Sequence, residues 1–338
     1  LLLGAVSVSL AQDNSARLRV MQLSYLPDSS ASADILLDDR PIFESVNYPF
    51  ATDYVEAAPG DHRLTTTIVG SESSASTALT LESGRSYSVV VEGDYTDNVR
   101  FIIIDETDLP LEATGSAAIV VNLTPDALDI SIGDDAAPES ISAGGHGFIR
   151  LPDGEFNATV TMAGAPDEVL YTDSFVPLPN TTLLVAALRS SSGDFYTVFH
   201  RSSTLTIAEY LQAFGERAPF SRIAGEIAAT DLLDSLAGDG AFTLFLPTDE
   251  VLDGLPADSV PSDPAQRRAL LANHVIAESL PPYVLPNHPS LTTLAGSTVT
   301  LGFAETASGY WEISGAPILW DVRLANGVIY AIDGIILP

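Results

Sequence analysis

The chain has 338 residues, no cysteine and a formal net charge of −31, from 45 acidic residues against 14 basic ones, every one an arginine. Without cysteine there is no disulfide, thiolate metal site or cysteine nucleophile, and so acidic a surface repels nucleic acid and anionic membranes. Apolar residues make up 46% of the chain, which suits folded domains rather than disorder, and the length allows two or three of them.

Leu1 to Leu10 is an apolar run too short to cross a bilayer. Ser9-Leu10-Ala11 then supplies the small-x-small pattern of a signal-peptidase site. Residues 1–11 are therefore predicted to be part of a signal peptide, cleaved after Ala11 from an exported protein. No later segment reaches transmembrane length, so no membrane insertion is expected.

From Arg17 to about Arg201 the chain reads as short strands separated by turn residues. The clearest are Leu18 to Leu23, Ala33 to Leu37, His62 to Val69, Tyr87 to Val91 and Val99 to Ile104, all rich in Val, Ile, Thr and Tyr. The pattern recurs at near-constant offsets: 95 residues from Asp34 to Asp129, 93 from Pro59 to Pro152 and 96 from Tyr87 to Leu183. This predicts two copies of one β-sandwich, over 16–108 and 116–201, joined through Thr107–Ser116. In the first copy, Arg19-Val20-Met21-Gln22-Leu23, a Pro27-Asp28 turn, Ala33-Asp34-Ile35, Ala58-Pro59-Gly60-Asp61-His62 and Tyr87 to Val91 follow one another. This order resembles a bacterial surface-protein family of unknown function. The resemblance implies an immunoglobulin- or transthyretin-like sandwich and brings no activity with it.

Beyond a second short joint at His200–Ser203, Thr243 to Leu246 has the β-branched and aromatic content of a buried strand. Pro247 cannot donate to a ladder and ends it. Thr248 is placed to cap a following helix, with Asp249 and Glu250 on its positive end. His274 follows Leu270 at helical spacing and reads as a hydrogen-bonded core histidine. In the last segment, Asp333-Gly334 separates two apolar runs as a tight-turn signal, with Gly tolerating positive φ.

Phe242 to Leu252, Leu270 to Ile276 and Asn326 to Pro338, in this order, resemble the fasciclin-type domain, a module of extracellular adhesion proteins. The resemblance implies an α+β fasciclin-type domain over 203–338, with Phe245, Pro247, Thr248, Asp249, His274, Asp333 and Gly334 as its scaffold. Asn273 stands where many members carry Tyr in a Tyr-His pair implicated in integrin binding, and Tyr330 where His is frequent. The expected fold is multidomain and mainly β: two immunoglobulin/transthyretin-like β-sandwiches, then the fasciclin-type domain.

No nucleophile elbow, dinucleotide or phosphate loop, zincin helix or EF-hand loop occurs. The five histidines never stand at metal-ligand spacing, so no catalytic residue, cofactor or metal site is expected. Glu92 to Asn98 clusters acidic and amide oxygens, which reads as a solvated hairpin tip or a weak Ca²⁺ contact. Tyr310, Trp311 and Trp320 fit half-buried strands, and exposed aromatics among them could anchor a partner. The proline-rich stretch Leu280–Pro289 is stiff, which lowers the entropy lost on binding. Tyr283, His288, Tyr310 and Trp311 are the candidate partner-binding residues. The function expected is non-catalytic binding or adhesion at a bacterial surface, to an extracellular protein or polysaccharide. The alternative is a soluble carrier or sensor of a small apolar ligand, held in a groove of the C-terminal module.

Overall fold

The computed structural model describes residues 14–25, 32–96, 98–111, 115–133, 137–177, 180–190, 192–214, 220–238, 240–254, 261–304 and 310–337. The expected signal peptide and the Pro27-Asp28 turn lie outside the described residues. Apart from Pro49–Ala51, the chain divides into two compact units, one ending at Thr107 and the other starting at Asp108.

The first unit consists of β1 (Ala16–Tyr25), β2 (Ser32–Leu37), β3 (Arg40–Asn47), β4 (Val55–Ala57), β5 (Gly60–Ile68), β6 (Ser74–Leu81), β7 (Ser86–Asp94) and β8 (Asn98–Asp105). These form two sheets, ordered β4-β1-β7-β8 and β3-β2-β5-β6. The β1–β7 pair is parallel. Leu18 and Val89 of one sheet and Ile35 and Leu64 of the other are fully buried. The sequence reading missed β3, β4 and β6. In β3, Pro41 reads as a turn signal and the strand bends at Ser45, whose φ is positive; β4 is only three residues long, and β6 is an edge strand of small residues with a largely exposed face. Arg19 is buried without strain on its charge: Nε donates to Ser88 Oγ at 2.6 Å and a guanidinium NH₂ to Glu106 at 3.2 Å. Tyr54 donates to the other oxygen of Glu106 at 2.5 Å, and its ring lies 4.6 Å beneath Arg19.

In the second unit the chain first makes β9 (Ser116–Asn122), β10 (Leu128–Ile132), β11 (Glu139–Ile141), β12 (His146–Leu151), β13 (Phe156–Met162), β14 (Ala165–Phe175), β15 (Thr181–Arg189) and β16 (Phe195–Ser203). Their order is β12-β9-β15-β16 and β11-β10-β13-β14, with β9 and β15 parallel. This is the strand order of the first unit with every number raised by eight. Asp34 lies opposite Thr67, seven residues after Gly60; Asp129 lies opposite Thr161, seven after Gly154. Each aspartate accepts a hydrogen bond from a serine eleven residues on, Ser45 and Ser140. Leu128, Val160, Leu183 and Val185 close the core between these two sheets.

The remainder contains α1 (Ile207–Phe214), α2 (Ser221–Ala228), α3 (Leu232–Leu236), β17 (Phe242–Pro247), α4 (Asp249–Gly254), α5 (Pro264–Ala272) and β18 (Val275–Ile276). A 3₁₀ turn at Leu285–Asn287 and strands β19 (Ser290–Thr292), β20 (Thr298–Ala304), β21 (Tyr310–Ile313), β22 (Ala316–Leu324) and β23 (Gly327–Ile332) follow. Thr206 and Glu209 form a reciprocal capping box that starts α1. β17 pairs in parallel with β23 and antiparallel with β18. Gly327 is required at the start of β23, because a Cβ there would meet Phe242 O at 2.0 Å. Asn326 ties three pieces together. Its side chain accepts from Ile207 N at the start of α1 and donates to the carbonyls of Leu236, the last residue of α3, and Gly238 just beyond.

At His200–Ser203 the chain is still in strand. β16 pairs in parallel with β22 through Ser202 and Arg323, so one sheet runs from the second block into the C-terminal module.

Candidate functional site

β17 is buried on both faces, as its apolar run requires. Leu244 and Leu246 face the helices with Ile207, Tyr210, Leu232 and Ile329. Phe245 faces the opposite core with Leu280, Leu285, Ile332 and Ile336. Its ring stacks on Tyr330 with centroids 5.2 Å apart and planes 15° apart, and Tyr330 donates to Leu280 O at 2.7 Å. Pro247 ends the strand. Thr248 Oγ1 accepts from Val251 N at 3.4 Å.

Asp249 does something the local pattern did not suggest. Its carboxylate accepts from Ser221 N at 3.0 Å, Ser221 Oγ at 2.5 Å and Arg222 N at 2.9 Å. It caps α2, whose own N-cap residue Phe220 offers no side-chain acceptor. Two elements 28 residues apart are thereby joined.

His274 is 2% exposed. Ile336 N donates to its Nε2 at 3.0 Å, so the ring proton sits on Nδ1 and is donated to Leu270 O at 3.0 Å. Burial pushes its pKa down to about 4, against a weaker upward pull from the Leu270 carbonyl. It is a neutral pin between the end of α5 and the last residues. Asp333 N donates to Pro317 O at 2.8 Å. Gly334 corrects the turn reading: its φ is not positive, and it is there because a Cβ would lie 2.7 Å from that of Ala316. The apolar run after it forms no strand; Ile336 is buried and Leu337 is 65% exposed.

The candidate contact residues divide. Tyr283 is half-buried with the Arg323 guanidinium 5.2 Å above its ring. His288 is half-buried, and its backbone N donates to Leu285 O at 3.0 Å. Of the neighbouring prolines, Pro281 and Pro282 are buried and serve the core, with Pro289 exposed. Tyr310 opens β21. Trp311 pairs across strands with Phe303, the rings 5.2 Å apart and edge-on. Phe303 is 53% exposed, and Leu319 on adjacent β22 is 51% exposed. Sequence reading missed Phe303, although Val299, Leu301 and Phe303 alternate at strand period. Trp320 instead packs inward, 5.2 Å from Phe220.

Among the described residues no group of three or more His, Asp or Glu side chains is placed to hold a metal ion. In the Glu92–Asn98 tip, Asp97 lies outside the described residues, Asp94 accepts from Thr96 N and Oγ1 at 2.7 and 2.8 Å, and Glu92 pairs with Arg100. No helix among the described residues is long and apolar enough to cross a membrane.

Residues 218–338 match the fasciclin domain. Protein sll1483 of Synechocystis sp. is 30% identical over 142 residues, 40% of this chain and 75% of that protein. The chain belongs to the fasciclin-domain family. Residues 16–133 match a domain of unknown function, DUF4397. The transforming growth factor-beta-induced protein ig-h3 of Sus scrofa is 30% identical over 173 residues, half of this chain. The chain spans a quarter of that relative's length. A solved fasciclin domain pair from the insect cell adhesion molecule fasciclin I aligns at 15% identity and a TM-score of 0.33, over 54% of this chain and 64% of its own. The fasciclin domain here thus has its sequence motifs in the core, while the exposed Phe303 and the half-buried Trp311 lie elsewhere, on β20 and β21.

Proposed function

We propose that this chain is a non-catalytic adhesion protein of the bacterial exterior, whose fasciclin domain holds a surface protein or polysaccharide through Phe303 and Trp311. The observation that carries this reading is the exposed Phe303 set edge-on to the half-buried Trp311. A 53% exposed Phe beside a Trp holds apolar surface in water, and a partner or sugar face that covers it gains the free energy of that burial. Membership of the fasciclin family supports the adhesive role. Reading residues 1–11 as the end of a signal peptide supports export. The two eight-strand blocks are copies of one immunoglobulin- or transthyretin-like sandwich and act as a spacer; their common strand order and the matched places of Asp34 and Asp129 support this.

The test uses the full chain on arrays of glycans and bacterial surface proteins, beside a variant carrying Phe303→Ser and Trp311→Ser. A ligand should be retained by the parent and lost by the variant, with unchanged melting. Equal retention by both would place the contact elsewhere.

A further inference from the structure

An apolar cavity of about 60 Å³ lies between the two sheets of the second block, walled by Ile130, Ile149, Phe156, Leu183 and Phe199 among others. A cavity with such walls stays dry, because a water inside would forgo its hydrogen bonds. It is well below the roughly 150 Å³ that admits a benzene ring, so it suits the end of an unbranched chain.

β16 brings a cation to its edge. Thr197, Phe199 and Arg201 alternate on one face of the strand; the first two line the cavity, and Leu183, the register partner of Arg201, lines it too. Arg201 therefore stands one side-chain repeat beyond the wall, roughly 7 Å along the strand. Its guanidinium lies 5.6 Å over the Phe199 ring and 5.5 Å over the Trp320 ring. Among the described residues it makes no hydrogen bond or ion pair. Asp321 and Asp173 act on it only through space, and burial pushes its pKa below the ordinary value. A half-buried guanidinium with aromatic faces and in-plane donors not taken up by the described residues is matched by a carboxylate, which accepts two parallel hydrogen bonds.

We propose that the second block binds the anion of an unbranched alkyl carboxylic acid, chain end in the cavity and carboxylate on Arg201. This site is independent of the adhesive surface. It puts an apolar-ligand site in the second block rather than in a groove of the C-terminal module.

The test titrates the full chain carrying Trp311→Phe, which leaves Trp320 as its one indole, with octanoate, acetate and 1-octanol. Octanoate should give a saturable change in Trp320 emission and a calorimetric isotherm, and each control should bind about tenfold more weakly or worse. Arg201→Met, which keeps the apolar stem, should weaken octanoate by about tenfold or more. Ala187→Leu, which fills the cavity and leaves Arg201 in place, should do the same. Octanol binding as tightly as octanoate would overturn the proposal, as would an absent isotherm or unaltered titration of Ala187→Leu.

Discussion

The backbone N–H of Ile336 donates to Nε2 of His274 at 3.0 Å. That bond holds the imidazole neutral, since a proton on Nε2 would face a donor. The pKa is about 4 in the fold against an ordinary 6.5, so the stabilisation is complete above pH 6.5. It is lost as pH falls from there toward 4. The full effect is about 3 kcal/mol. Denaturant unfolding at pH 7 and pH 4.5 should show this loss in the parent and a smaller one in His274→Gln. Identical pH slopes in the two proteins would disprove the assignment.

His62 should behave in the opposite sense. Its Nδ1 lies 2.6 Å from an Asp38 oxygen and its Nε2 lies 2.7 Å from Ala58 O, so two acceptors call for two ring protons. Burial by itself lowers its pKa, but the bonds to Asp38 and Ala58 outweigh it and the net shift is upward. Its contribution is therefore full below pH 6.5 and fades as pH rises through the folded pKa. An NMR titration should place His62 above 6.5 and Asp38→Asn should bring it down; a His62 that titrates at or below 6.5 in the parent contradicts this geometry.

Phe245 and Ile332 are both fully buried in one core. Phe245→Ala should cost about 3–5 kcal/mol and Ile332→Ala about 2–5 kcal/mol, from lost burial and the cavity left behind. Near-parental denaturation midpoints would show that this core is not packed as described.

Asp249→Ala should destabilise by about 2 kcal/mol, since three donors at the start of α2 lose their acceptor. Glu250→Ala, exposed on the same turn, should cost less than about 1 kcal/mol. Equal costs in equilibrium unfolding would mean that Asp249 acts only on its own helix.

The strands β17 and β23 were legible because a strand buried on both faces must be apolar throughout, and the pattern of His274 four residues after Leu270 anticipated the bond between them. Strands such as β1, β2, β5 and β7 were legible for the same kind of reason: turns and alternating strands carry their own local marks. β3 and β6 were not, since a bent strand and an edge of small residues share their composition with loops.

Sequence alone determined where the core strands lie, that cysteine chemistry is impossible and which family the C-terminal module resembles. These follow from residue type and near-neighbour spacing. Only the tertiary structure decided what the polar and aromatic side chains do. Asp249 caps a helix 28 residues away, and Gly334 makes room for Ala316 rather than a left-handed turn. Phe303 meets Trp311 across a strand pair, while Arg201 is set between Phe199 and Trp320 by the pairing of β16 with β22. Each depends on which distant segments meet, and local periodicity carries no information about that.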